Sequence, residues 1–226
     1  MKSLLRCLVA SSIAVLPAAR ALDVSFLAWD EQVATRQIAV GESEIAVKEL
    51  HPLKRTEAVT ASLLPSGELA LRALDRKDSS DKPLTFTVKL GTGMTKPLVL
   101  LLPDTKAASG LRGFAIEDDT SSFPWGTFRV LNSTGKPLNL ALGSIRKQLP
   151  VGWQPVDLQP EGEKALPIAI STTEAPQEPL YTGIWKAERE VRRLVFIVPG
   201  TEPRLGPLAI KVIPEDRRIL AATAEP

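Results

Sequence analysis

Leu84-Thr85-Phe86-Thr87-Val88-Lys89-Leu90 decides the fold class, because apolar and polar side chains alternate strictly along it. Successive side chains of a β-strand point to opposite faces, so this period of two predicts a strand with one buried and one solvated face. The alternation recurs at Leu138–Leu142, Leu166–Ile170 and Leu208–Ile213. Leu194–Val198 is apolar throughout and predicts a central strand that is buried on both faces.

Turn residues separate these segments from one another. Pro65-Ser66-Gly67 and Asn132-Ser133-Thr134-Gly135 each lie between two short apolar runs and predict hairpins. Nineteen prolines and fourteen glycines, spread along the chain, argue against long helices. Lys186–Arg193 has good helix formers but lacks an apolar face, and we interpret it as a turn. Further strands are predicted at Val24–Trp29, Ile38–Val40, Glu44–Lys48, Val59–Leu63, Glu68–Ala73, Val99–Leu102 and Phe128–Leu131. The predicted fold is mainly β, with two β-sandwich (Ig-like) domains in tandem and little helix.

Residues 1–21 have the pattern of a secretory signal peptide. Lys2 and Arg6 precede the apolar run Leu8–Leu16, and Ala19-Arg20-Ala21 supplies a small-x-small cleavage pattern that places the cut after Ala21. The apolar run is too short to span a bilayer. Cleavage would also remove Cys7, which is the one cysteine of the sequence. The sequence therefore predicts an exported protein, periplasmic or extracellular, whose mature chain lacks cysteine.

The polar and acidic stretch Glu117–Ser122 predicts a boundary between two domains. The predicted organisation is a signal peptide at 1–21, an N-terminal β domain at 22–117, a C-terminal β-sandwich domain at 118–214 and a flexible tail at 215–226. A faint internal repeat is also predicted, in which Lys82–Leu102 corresponds to Arg193–Val212. Each of these two segments is followed by an acidic pair.

Composition argues against several classes of function. Without the signal peptide the chain has 25 basic and 26 acidic residues, a net charge of −1, which gives no electrostatic reason to expect nucleic acid as a partner. His51 is the one histidine, and no serine lies in a Gly-x-Ser-x-Gly pattern, which disfavours a serine hydrolase. Zinc and copper sites need several Cys or His ligands. We therefore predict a protein that is not an enzyme and that needs no cofactor.

Two groups of residues remain as candidate sites. Glu117, Asp118 and Asp119 form a tight acidic cluster whose oxygens are of the type that calcium prefers, although three consecutive acids also suit a solvated linker. Trp125 and Trp153 are the candidates for a ligand platform, because an exposed indole stacks on sugar rings. The alternative interpretation is that both tryptophans pack over the core.

The run from Asp118 to Asn132 carries one resemblance. Its pattern, D-D-x-x-x-F-P-x-G-x-F-x-x-x-N, resembles a recurring signature of uncharacterised secreted bacterial β proteins, in which an acidic turn leads into an aromatic strand. The resemblance covers the C-terminal half. It implies a compact β domain and no known activity.

These observations predict a non-catalytic binding or scaffolding protein of the cell envelope that acts through protein–protein contacts. The partner would be an envelope protein or a glycan. Two alternatives stay open: a glycan-binding module that uses exposed tryptophans, and a hydrolase of envelope polymers that uses two carboxylates. No transmembrane segment is predicted.

Overall fold

Sixteen β-strands, two short α-helices and one 3-10 helix (Pro203–Leu205) form the protein in the computed structural model, which describes residues 21–42 and 45–224. Residues 1–20, which hold nearly all of the predicted signal peptide, lie outside the described residues. The first half contains β1 (Ala21–Ala28), α1 (Glu31–Ala34), β2 (Ile38–Val40), β3 (Ile45–Ala46), β4 (Val59–Ser62), β5 (Glu68–Lys77), β6 (Pro83–Lys89), β7 (Pro97–Pro103) and β8 (Leu111–Glu117). The second half contains β9 (Phe128–Asn132), β10 (Leu138–Leu142), β11 (Ile145–Leu149), β12 (Val156–Leu158), β13 (Lys164–Thr172), β14 (Pro179–Ala187), β15 (Val191–Pro199), β16 (Leu208–Asp216) and α2 (Arg217–Ala224).

The two halves have the same topology. The first half forms the sheets β4-β1-β7-β8 and β3-β2-β5-β6, and the second forms β12-β9-β15-β16 and β11-β10-β13-β14. Every strand of the first half thus has a counterpart eight strands later. The one parallel pairing of each half also corresponds, β1 with β7 and β9 with β15. The predicted class, a mainly β chain with two sandwiches and little helix, is confirmed.

The repeat differs in register from the predicted one. Lys82–Leu102 contains β6 and β7, whereas Arg193–Val212 contains β15 and most of β16, whose counterparts are β7 and β8. The predicted correspondence is therefore wrong by one strand, because the predicted strands do not include β8. β8 is hard to find by alternation, since Gly113 interrupts its apolar pattern.

Three hydrophobic cores separate the four sheets. One lies between the two sheets of the first half and another between the two sheets of the second half. The third joins the halves, because the outer faces of β4-β1-β7-β8 and β12-β9-β15-β16 pack against each other. It is built from equivalent positions of the two repeats: Leu27 and Leu131, Leu98 and Leu194, Leu100 and Phe196, Ile116 and Ile213.

Residues after Pro214 have regular structure where the sequence predicts a flexible tail. β16 continues to Asp216, and α2 follows over Arg217–Ala224. Lys186–Arg193 contains the predicted turn, since β14 ends at Ala187 and β15 begins at Val191. Within the described part of the chain, neither helix has the length and apolarity that crossing a bilayer requires.

Candidate interaction surface

The three acids of the predicted calcium site point to separate partners. Glu117, at the end of β8, accepts hydrogen bonds from the backbone N–H groups of Thr95, Lys96 and Asp119. Asp119 caps the following turn through the N–H of Ser121, 2.8 Å away. Hydrogen bonding by Ser121, first from its side chain and then from its N–H, lowers the pKa of Asp119. Among the described residues, no three Asp, Glu, His or Cys side chains converge as a metal site requires.

Asp118 belongs to a nearly buried ion cluster between the two halves. Its carboxylate accepts two hydrogen bonds from Arg55, at 2.7 and 2.9 Å, and one from Arg192 at 3.1 Å. Arg192 also donates to Glu215, which occupies the position in β16 that corresponds to Asp118 after β8. Burial lowers the pKa of Arg55, but the hydrogen bond and charge of Asp118 outweigh it, so the net shift is upward. The cluster ties the linker to both sandwiches.

The linker between β8 and β9 is also held by arginine–aromatic contacts. The guanidinium groups of Arg129 and Arg192 lie 4.5 and 4.9 Å from the centre of the Phe123 ring, which is fully buried. Arg192 lies 5.1 Å from the ring of Trp125, which is half-buried. Arg129 is anchored in turn by two hydrogen bonds to Asp157. Trp125 thus covers the ion cluster with one face.

Trp153 folds over the core that joins the halves. Its ring centre lies 5.9 Å from that of Trp29, 5.5 Å from Phe114 and 5.6 Å from Phe196. The residue has a φ of 66°, a left-handed conformation that costs free energy for a large side chain and is held here by packing. Trp153 therefore contributes to the contact between the two sandwiches.

His51 has a local role in the structure. Its Nδ1 accepts a hydrogen bond of 3.0 Å from the N–H of Leu53, and its carbonyl accepts one from the N–H of Ala28. The side chain is exposed. The histidine thus fixes the loop that runs beside β1.

The two repeats differ most clearly at one edge of each sandwich. In the first half, β6 and β8 lie against each other across this edge. Their approach depends on Gly113, because a Cβ built there would lie 2.2 Å from Cγ2 of Val88. Ile210 occupies the corresponding position of β16 and packs on the core of the second half. Among the described residues, β14 and β16 do not pack against each other in this way, so the corresponding edge of the second half is open.

β14 is a nine-residue strand at this open edge. Within the described residues it pairs with β13 alone, which leaves the backbone groups of its other side without a strand partner. Leu180–Lys186 contains no proline and one charged side chain, Lys186. Ile184 is 67% exposed, whereas the equivalent position of β6 is Thr87. Natural proteins usually protect edge strands with prolines, charges or bulges. β14 has these features only near its ends, as Pro179, a bulge at Leu180 and the charge of Lys186, and the stretch between them has none.

A groove of about 650 Å³ lies on the outer face of the same sheet. β10 and β13 form its floor, β11 forms one wall, and the loop between β13 and β14 forms the other. Its lining includes Asn139, Ala141, Arg146, Gln148, Ala169 and Gln177. Among the residues that the structure describes, no carboxylate lines the groove.

Titratable groups elsewhere on the surface have clear causes for their pKa shifts. Hydrogen bonds from Arg218 lower the pKa of Asp216 to about 2. Hydrogen bonds from Lys186 and Arg193 lower the pKa of Glu188. Burial lowers the pKa of Lys211, whose ammonium donates to the carbonyl of Trp29 and lies over its ring. These groups have structural partners and do not converge on one site.

The open edge and the groove were not found from the sequence. Whether a strand is paired on one side or on both cannot be seen without the sheet order. A comparison of the two repeats would indicate the open edge, since Ile184 is the equivalent of Thr87 and Ile210 is the equivalent of Gly113.

Comparisons with known proteins provide no family for this chain. No protein-family model matches the sequence, and no curated protein is significantly similar to it.

Proposed function

We propose that this protein is an exported, non-catalytic binding or scaffolding module of the cell envelope that holds a partner protein at the free edge of β14. The observation that carries the proposal is the nine-residue edge strand with an exposed Ile184 and a proline-free stretch from Leu180 to Lys186. An extended segment of a partner adds to such an edge through main-chain hydrogen bonds, and alternate side chains supply specificity. The signal-peptide pattern of residues 1–21 supports export.

The interior of the protein supports a scaffolding role. Glu117, Asp118 and Asp119 are all engaged in hydrogen bonds or ion pairs that hold the linker. Trp125 and Trp153 pack on Arg192 and on the core that joins the halves. Because these residues stabilise the scaffold, the exposed edge is a better binding surface than the tryptophans. The glycan-binding and carboxylate-hydrolase alternatives have less structural support.

The proposal is tested by site-specific photo-cross-linking in the cells that make the protein. A benzoylphenylalanine is placed at Thr182, which is exposed on β14, and at the equivalent exposed Thr85 on β6 as a matched control. We expect one partner protein to be cross-linked from position 182 and not from position 85. The partner is expected to form a discrete adduct that mass spectrometry identifies.

A second pair of variants tests whether the edge itself is responsible. Ile184→Lys adds a charge to an exposed position of β14, a device that blocks strand addition, and Thr87→Lys makes the same change on β6. We expect Ile184→Lys to abolish the adduct and Thr87→Lys to leave it unchanged. Equal cross-linking from positions 182 and 85, or an adduct that survives Ile184→Lys, would refute the proposal. An adduct between two copies of this chain would refute a separate partner protein and show that β14 mediates self-association.

A further inference from the structure

The groove on the outer face of β11-β10-β13-β14 has a chemical character that the scaffold does not require. The equivalent face of the first half provides an internal comparison, because the same strands pair in the same register. The hydrogen-bonded partners Ala141 and Ala169 correspond to Ala39 and Arg72. The groove therefore has room where the first half has an arginine side chain.

The wall of the groove differs in the same way. Arg146 on β11 pairs with Ala141, and the corresponding residue on β3 is Ala46. The fold thus forms with alanine at this position in one repeat and arginine in the other. Arg146 forms no salt bridge among the described residues. Lys147, the next residue of β11, pairs with the buried Leu140, so its side chain points to the opposite face of the sheet. Arg146 donates through Nη1 to the carbonyls of Gly143 and Ile145, which fixes its guanidinium at the rim.

The polar groups of the groove match an extended peptide. Gln148, Gln177 and Ser171 line it without a side-chain hydrogen bond to any described residue. Amide and hydroxyl groups both donate and accept, which suits the alternating C=O and N–H groups of a peptide backbone. Within the described ranges no aromatic ring lines the groove, although single-stranded nucleic acid is usually held by aromatic stacking. The volume of about 650 Å³ lies within the usual range for ligand sites, roughly 300–1,000 Å³.

We propose that this groove binds an acidic, extended peptide segment, with a carboxylate paired to Arg146 and its backbone held by the amides of the walls. Arg146 has no carboxylate partner and no carboxylate lines the groove among the described residues, so the groove is complementary to negative charge. The site lies on the face of the sheet and is separate from the edge of β14, so this proposal goes beyond the proposed function. Either proposal can fail while the other stands.

The test measures binding of a fluorescein-labelled hexaglutamate peptide to the purified protein by fluorescence anisotropy. We expect saturable binding that weakens as salt is added, and no binding of a labelled peptide of alternating glycine and serine. Arg146→Gln is expected to weaken binding at least tenfold, since charged hydrogen bonds contribute that much. Lys89→Gln removes the same charge from an exposed position of the first half and is expected to change the affinity less than twofold.

A third variant separates the groove from general electrostatic attraction. Ala169→Arg introduces the residue that the first half has at the equivalent position, so it fills the floor while it adds a positive charge. Binding in the groove predicts at least a tenfold loss of affinity for hexaglutamate, whereas non-specific attraction predicts equal or tighter binding. Circular dichroism checks that the variant is folded. Failure of the native protein to bind, unchanged binding by Ala169→Arg, or tighter binding of polygalacturonate than of hexaglutamate would each overturn the proposal.

Discussion

Asp118→Asn is the substitution that best tests how the two sandwiches are joined. Asp118 accepts three charged hydrogen bonds, and the exposed fractions of the side chains involved are 10% for Asp118, 8% for Arg55 and 6% for Arg192. A hydrogen bond to a charged group contributes about 1.5–3 kcal/mol, and breaking a buried ion pair costs about 3–5 kcal/mol. Asparagine keeps one acceptor oxygen, but it leaves Glu215 alone to balance the charges of Arg55 and Arg192. We therefore expect the free energy of unfolding to fall by about 3 kcal/mol.

The assay is urea unfolding at pH 7, followed by tryptophan fluorescence, with Asp81→Asn as the control. Asp81 pairs with Lys77 but is 83% exposed, so its substitution is expected to cost less than about 1 kcal/mol. Adding Arg55→Met to Asp118→Asn is expected to recover part of the loss, because it removes the excess buried positive charge and leaves Arg192 paired with Glu215. If Asp118→Asn and Asp81→Asn reduce the free energy of unfolding equally, the assignment of Asp118 to a stabilising interdomain cluster is refuted.

Three further substitutions test other parts of the structure. Gly113→Ala places a Cβ 2.2 Å from Cγ2 of Val88 and is expected to lower the free energy of unfolding by about 1–3 kcal/mol in urea titrations; an unchanged midpoint would contradict the close approach of β6 and β8. Burial lowers the pKa of Lys211 below its usual 10.5, so between these two values the unfolded chain binds more protons than the folded one and the free energy of unfolding rises with pH. Lys211→Met is expected to remove this part of the rise, which is measured by unfolding both proteins at a series of alkaline pH values. Arg218→Gln should raise the pKa of Asp216 from about 2 toward 3.8 in a carboxyl-carbon NMR titration, and a value that stays near 2 would show that another group holds the carboxylate.

Periodicity predicted the strands well wherever one face meets a core and the other meets water. β10 has the predicted bounds, because burial alternates along Leu138–Leu142 as its sequence does. β2 also has the predicted bounds, although all three of its residues are buried. β8 was missed because it faces two different cores and contains Gly113, so no simple alternation is visible. The sequence pattern of a strand shows how many of its faces are buried. It does not show which sheet each buried face packs against.

The roles of the acidic linker residues could not be predicted from the sequence for a different reason. Asp118 was interpreted as part of a solvated linker or a calcium site, and its partners Arg55, Arg192 and Glu215 are distant from it in the chain. Nothing in the neighbouring residues indicates which charges the fold brings together. The candidate groove is a similar case, since it depends on Ala169 and Arg146, which only the sheet register places side by side.

The packing of equivalent faces in the third core has an evolutionary consequence. An isologous dimer of two identical chains has such an interface, and any mutation in its gene changes both sides at once. When both copies lie in one chain, each can mutate alone. Leu100 and Phe196 occupy equivalent places in this core with different volumes, so one copy can enlarge a side chain while the other adjusts. A single gene that encodes both copies can thus acquire asymmetric side-chain packing, which a symmetric dimer cannot.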